Sequence, residues 1–150
     1  MSLLAAPFEP TTRRQVFAHW SVQIPMSLKA QFVPDAQYWH ARDEHRSVSL
    51  TSMVITEHGR PASQKRILRQ IQLPMEGTPV ALPAGLEGWG REVVAEPCAI
   101  ATRAVTGIIA AKGRVLIVTV TSDDVLWATS VWLSIRHNAV PVSVSDLLSE

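Results

Sequence analysis

Hydrophobic and polar positions alternate with period two over several stretches of the chain, and each such stretch predicts a strand. Trp20, Val22 and Ile24 alternate with more polar neighbours until Pro25 removes a ladder donor, so residues 19–24 read as a half-buried strand with a hard stop. Residues 26–35 carry no sustained period and close on the turn signal Pro34-Asp35. The aromatic run 36–42 then predicts a second strand, and 46–56 gives the clearest alternation in the chain. In that third strand Val48, Leu50 and Val54 share one face while Ser47, Ser49 and Thr51 share the other. Asp43, Glu44 and His45 lie between the two runs as the turn of a β-hairpin. From Met53 to Ile55 both faces are apolar, which predicts that something packs on the second face there.

The period changes after residue 59. Gly59-Arg60-Pro61 offers a break followed by a proline suited to a first helical turn, and Ile67, Leu68 and Ile71 complete an apolar stripe, so a helix is expected from about residue 61 to 72. Residues 74–97 hold four prolines and four glycines, a composition that predicts a long loop with only a short strand near 91–95. A second hairpin follows, with arms at 98–111 and 114–121 around Lys112-Gly113. The last element is an amphipathic helix over 123–137, capped by Ser122 or Asp123 and closed by Arg136-His137, with the stripe Trp127, Ala128, Val131, Trp132 and Ile135. The expected architecture is α+β: an antiparallel β-sheet with flanking helices, and a C-terminal amphipathic helix packed on the sheet. It forms one domain over 13–138, between an irregular N-terminal arm at 1–12 and a C-terminal tail at 139–150, where 145–148 read as one helical turn.

Composition narrows the function classes. A chain of 150 residues that is 47% hydrophobic and 18% charged has enough apolar surface to fold as one domain without staples. Its net charge of +1 supplies no global field toward nucleic acid or an anionic membrane, so neither is an expected partner. Cys98 is the single cysteine, which excludes an internal disulfide and favours a reducing, cytoplasmic setting; its flanks read as the start of a strand. The first residues lack the basic region of a signal peptide, and no uncharged apolar run approaches the roughly 18 residues of a membrane helix.

Candidate chemistry is sparse. His40, Asp43, Glu44 and His45 bring two imidazoles and two carboxylates within six residues, the one cluster from which a general base and its orienting carboxylate could be drawn. The histidines are five apart with a turn between them, which departs from the one-face spacing of zinc motifs, so no metal and no cofactor is expected. Gly85-Leu86-Glu87-Gly88-Trp89-Gly90 follows no convincing strand and opens no helix, so it lacks phosphate-cradling geometry. Trp89 inside it either tucks onto the domain or waits for a partner. With Arg60, the residues Lys65, Arg66 and Arg69 make the outer side of the first helix basic, which reads as a solvated face.

The segment Trp20-Ser-Val-Gln-Ile-Pro25 near the start, and Val118 to Arg136 running from a strand through a capped helix near the end, resemble the PsbP-like fold group. That resemblance implies an α/β/α sandwich on an antiparallel sheet. It also implies an accessory role, since the group consists mostly of non-enzymatic factors: photosystem subunits, small-GTPase-binding proteins and chaperones for secreted effectors. It carries over no catalytic residue. The leading expectation is therefore a non-enzymatic protein-interaction or accessory module, chaperone-like or adaptor-like. It would bind another protein or form a homodimer, with Trp89, Trp39, Arg66 and Arg69 as candidate contact residues. The alternative is a small hydrolase or ligand-binding enzyme with a pocket between the sheet and the 74–97 loop, using the His40–His45 cluster.

Overall fold

The computed structural model describes residues 9–72, 76–95, 100–138 and 141. Cys98 and the expected helical turn at 145–148 lie outside them. Seven antiparallel strands form the main sheet in the order β3 (Lys29–Val33), β4 (Tyr38–Arg42), β5 (Ser47–Val54), β11 (Arg114–Thr121), β10 (Arg103–Ala111), β9 (Glu87–Val94) and β8 (Thr78–Ala81). A smaller sheet is built from β1 (Thr11–Phe17), β2 (Trp20–Pro25) and the two-residue β12 (Arg136–His137), and β6 (Thr56–Glu57) pairs with β7 (Arg60–Pro61). Among the described residues two α-helices complete the fold, α1 (Gln64–Gln72) and α2 (Val125–Ser134). The architecture is α+β on an antiparallel sheet, with the C-terminal helix packed against it.

Alternation sorts the main sheet into two faces. The inner face presents Trp39, Val48, Leu50, Leu116, Val118, Val120 and Ile109, and these meet α2 and the small sheet in one buried core with Trp20, Val22, Ile24, Val131, Trp132 and Ile135. The outer face is covered by α1 only at one end, where Ile67 and Leu68 pack on Ile108, Ala110 and Val115, with Ile55, Ile71 and Trp89 alongside. No helix among the described residues is long and apolar enough to cross a membrane.

Several boundaries differ from the sequence expectation, each for a local reason. Residues 11–17, expected as arm and unassigned chain, form β1 along β2, with Thr12 opposite Ile24 and Arg14 opposite Val22. Residues 29–33, which show no clean period, form an edge strand on β4. Pro61 belongs to β7, and α1 starts later because the Ser63 hydroxyl accepts the Arg66 N–H at 3.2 Å as its N-cap. At α2 the cap is Asp124, whose carboxylate accepts the Trp127 N–H at 3.1 Å. Asp123 instead accepts the Thr102 N–H and hydroxyl at 2.9 and 2.6 Å and ties down the approach to β10. Ile135 turns extended, so Arg136 and His137 leave the helix for β2; even so, the Arg136 guanidinium donates to the carbonyl of Leu133 at 2.7 Å, at the helix C-terminus.

The largest correction concerns 74–97, where the expected loop contains β8 and the eight-residue β9. Pro79 sits on an edge strand, where a missing N–H is tolerated on the side away from the ladder. Gly88 and Gly90 are there for space. A Cβ on Gly90 would lie 2.8 Å from Trp132 Cη2, and one on Gly88 would lie 2.9 Å from Leu82 Cδ1. Glycines that look like flexibility in the sequence are sockets for α2 and the β8–β9 turn.

Candidate functional site

The cluster from His40 to His45 forms no imidazole–carboxylate hydrogen bond among the described residues. His40 lies on the outer face of β4, where its ring stacks on Tyr38 at 6.2 Å, and burial followed by the charge of Arg42 holds its pKa below the ordinary imidazole value. Asp43 is fully engaged elsewhere. One of its oxygens accepts the N–H groups of His45 and Arg46, both at 2.8 Å, and the other accepts the Arg46 guanidinium at 2.7 and 3.0 Å. Glu44 and His45 are exposed in the turn. Among the described residues His40 makes no hydrogen bond to a carboxylate, and no group of three or more His, Cys, Asp and Glu could hold a metal ion. The residues of a base and its orienter thus border one groove without a hydrogen bond between imidazole and carboxylate.

Residues 78–81 and 87–94, where a loop bordering a pocket was expected, are strands of the main sheet, and His40, Asp43 and Glu44 instead line an open groove of about 820 Å³ with Lys29, Gln31 and Arg42. The aromatic contact candidates move as well. Trp39 is buried in the core at 4% exposure, opposite Phe32 in the β3–β4 ladder, and offers a partner no surface. Trp89 lies on the outer face, half-buried against the α1 cluster. Arg66 and Arg69 are exposed on α1, Arg66 pairing with Glu57 at 2.9 Å.

What the fold does assemble lies on the outer face beyond the reach of α1. Cross-strand register aligns Gln31, His40, Ser49, Thr119, Thr106 and Arg91 in one row across six strands. Its members bond among themselves and their neighbours: the Thr106 and Thr119 hydroxyls are 2.9 Å apart, and the Tyr38 hydroxyl donates to Ser49 at 3.3 Å. This is a wetted sheet face, as the serine and threonine alternation in β5 predicts.

Between that row and α1 the chemistry reverses. Met53, Ile55, Ile67, Ile71, Ile108, Val115 and Ile117, with Gln70 as the polar member, line an open groove of about 440 Å³. Met53 is 45% exposed and Ile117 36%. The two-sided apolar run at 53–55 therefore meets α1 at Ile55 only in part, and the expectation of a covered face is corrected to a half-covered one. Ile117 was not singled out from the sequence, and Ile71 entered only as part of the apolar stripe of the first helix. The signal was the same apolar run, read as packing already satisfied. Comparison with known proteins returns no matching family model and no matching curated protein.

Proposed function

We propose that the protein is a non-enzymatic interaction module that seats an aliphatic segment of another protein in the groove between α1 and the outer sheet face. The observation that carries this reading is the groove itself, a concave aliphatic surface left open beside a face that is otherwise polar. Two aliphatic side chains withdrawn from water there would contribute about 4 kcal/mol, enough for modest affinity once ordering costs are met. The surroundings select the partner's charge. Lys65, Arg66 and Arg69 are exposed on α1, and Arg60 is exposed just before it, with Glu57 as the nearby carboxylate; a segment whose aliphatic positions are flanked by acidic ones is complementary. The resemblance to PsbP-like accessory factors supports the same reading. A cytoplasmic setting belongs to it too, on the ground that one cysteine permits no internal disulfide.

The test is a methyl-resolved NMR titration with two amphipathic helical peptides, one patterned Leu/Glu and the other Leu/Lys. The Leu/Glu peptide should shift the methyl signals of Met53, Ile71 and Ile117, bind at least about tenfold more tightly than its Leu/Lys counterpart, and lose its effect on Met53→Asp. Shifts absent from these methyls, or centred on Tyr38 and His40, would overturn the reading.

A further inference from the structure

We propose that a second copy of this chain pairs along β3, joining two main sheets edge to edge about a two-fold axis through Gln31. The inference rests on the sheet edge and not on the apolar groove, so either can fail without the other.

Among the described residues the main sheet ends in two edges, β3 and β8. Edge strands carry a row of unpaired N–H and C=O groups, and proteins that stay apart blunt them with proline, bulges, charge or brevity. Edge β8 is blunted in this way, being four residues long with Pro79 inside it. Edge β3 is not. Its five residues, Lys-Ala-Gln-Phe-Val, contain no proline and one charge, and pair in unbroken register with β4 from Lys29–Arg42 to Val33–Tyr38. All but Phe32 are exposed, including Ala30 on the inner side, so the edge is not overhung by described residues of the small sheet.

The sequence of β3 is complementary to itself. Antiparallel pairing about Gln31 sets Ala30 opposite Phe32 of the second copy and Lys29 opposite Val33. The isologous contact thus repeats twice with no like charges facing. The two Gln31 side chains meet on the axis, where each primary amide can donate to the other's carbonyl. Asp35, exposed in the 3-10 turn that follows β3, lies just past Val33, so each end of the ladder carries a carboxylate near the position facing Lys29 of the other copy. A small hydrophobic-to-small pairing of Ala30 with Phe32 continues the inner face across the junction, where Phe32 already packs against the core and meets Phe17 edge-on at 5.8 Å. Such an interface is mostly main-chain hydrogen bonds and modest in area, so a concentration-dependent equilibrium is the expected form.

Disulfide trapping reads the register directly. With Cys98 replaced by serine, Gln31→Cys should give a covalent dimer under mild oxidation, because residues directly opposite in an antiparallel ladder lie about 4.5–5.5 Å apart at Cα, within disulfide reach. Lys29→Cys should not, since the two copies of position 29 would lie about 14 Å apart along the ladder. In sedimentation equilibrium the unmodified chain should rise in average mass with concentration from 16.5 kDa toward twice that value. Gln31→Glu, which sets two carboxylates on the axis and leaves the β3–β4 ladder intact, should move the midpoint at least about fivefold higher at neutral pH. A mass that stays at 16.5 kDa through the millimolar range overturns the proposal. So does trapping that fails at position 31, or that proceeds as readily at position 29.

Discussion

Replacing Arg46 tests how the molecule ties its layers together. The Arg46 guanidinium donates to Glu9 at 2.7 and 2.8 Å and to Asp43 at 2.7 and 3.0 Å, and its charge sits 4.9 Å from the centre of the Trp127 ring. One side chain thus joins Glu9, two residues before β1, to the β4–β5 turn and α2. Hydrogen bonds between ionised groups contribute about 1.5–3 kcal/mol each when shielded, but the Arg46 side chain is 18% exposed, Asp43 23% and Glu9 34%, so water screens a good part of that. The cation over the indole adds about 0.5–1 kcal/mol. Arg46→Ala should therefore cost about 2–3 kcal/mol, and for a chain of this length lower the melting temperature by about 8 °C. Arg46→Lys, which keeps the charge without the fork, should lose about half as much.

The pH dependence separates this account from a simple packing loss. Hydrogen bonding from Arg46 holds the Glu9 carboxyl below its ordinary value; for Asp43, burial pulls upward but Arg46 and two backbone N–H groups outweigh it. Depressed carboxyls contribute stability that is present above their unfolded pKa, near 4, and lost as pH falls through the folded values. Urea unfolding followed by tryptophan fluorescence, near pH 7 and again near pH 3, should find the gap between the wild type and Arg46→Ala at its largest in the first condition and much reduced in the second. A loss below about 0.5 kcal/mol at neutral pH, or a gap that persists unchanged in acid, would refute the clasp.

Other substitutions probe the fold at single points. A Cβ on Gly107 would stand 2.1 Å from the Trp89 carbonyl oxygen, so Gly107→Ala should destabilise by about 3 kcal/mol in urea titration, and near wild-type stability would mean that β9 and β10 are not packed this closely. Asp124→Ala, which removes the α2 cap, should cost about 1 kcal/mol while Asp124→Asn costs much less; equal losses would assign the effect to charge and not to the cap. His137 stacks on His19 at 5.6 Å, and its Nε2 is buried without a hydrogen-bond partner; burial, then the charges of Arg114 and His19, hold its pKa below 6.5. Because the folded state resists this proton, stability should decline as pH falls from about 6.5 toward the folded value, and His137→Phe should flatten that decline in melting curves.

Elements with an aliphatic stripe of their own were legible in the sequence: β2, β4, β5, the β10–β11 hairpin and α2. The elements that escaped take their apolar face from elsewhere. In β1 the run Thr-Thr-Arg-Arg-Gln precedes the buried Val16 and Phe17, and in β3 Phe32 alone reaches the core. Trp39 looked available for a partner because nothing revealed that Phe32 lay opposite it. The glycines of β9 could not be told from loop glycines without Trp132 and Leu82, distant in sequence, to occupy the space they leave. Helix boundaries slipped for a different reason, since Ser122, Asp123 and Asp124 are all competent caps and only Thr102, across the turn, decides that Asp123 is already taken.

The groove on the outer face has a physical origin that bears on its meaning. A helix of nine residues is about 14 Å long, whereas seven strands span nearly 30 Å, so α1 cannot cover the outer face whatever its sequence. The uncovered remainder must meet water or a partner, and the fold has a solution for water, visible in the row from Gln31 to Arg91 where every side chain is polar. One register step away toward α1 that solution is dropped. Ile117 is a direct pleat neighbour of Thr119 on the same strand and the same face, and Met53 follows Thr51 and Ser49 in the same way. Polar residues are thus accommodated at equivalent positions within the same two strands, and fold stability does not require Met53 at 45% exposure or Ile117 at 36%. Aliphatic side chains held at that exposure beside a helix with no carboxylate favour contact with something apolar outside the chain. A double variant, Met53→Thr with Ile117→Thr, should on this reasoning leave the thermal midpoint within about 3 °C of the wild type while abolishing peptide binding. A large loss of stability would show instead that these residues serve the fold.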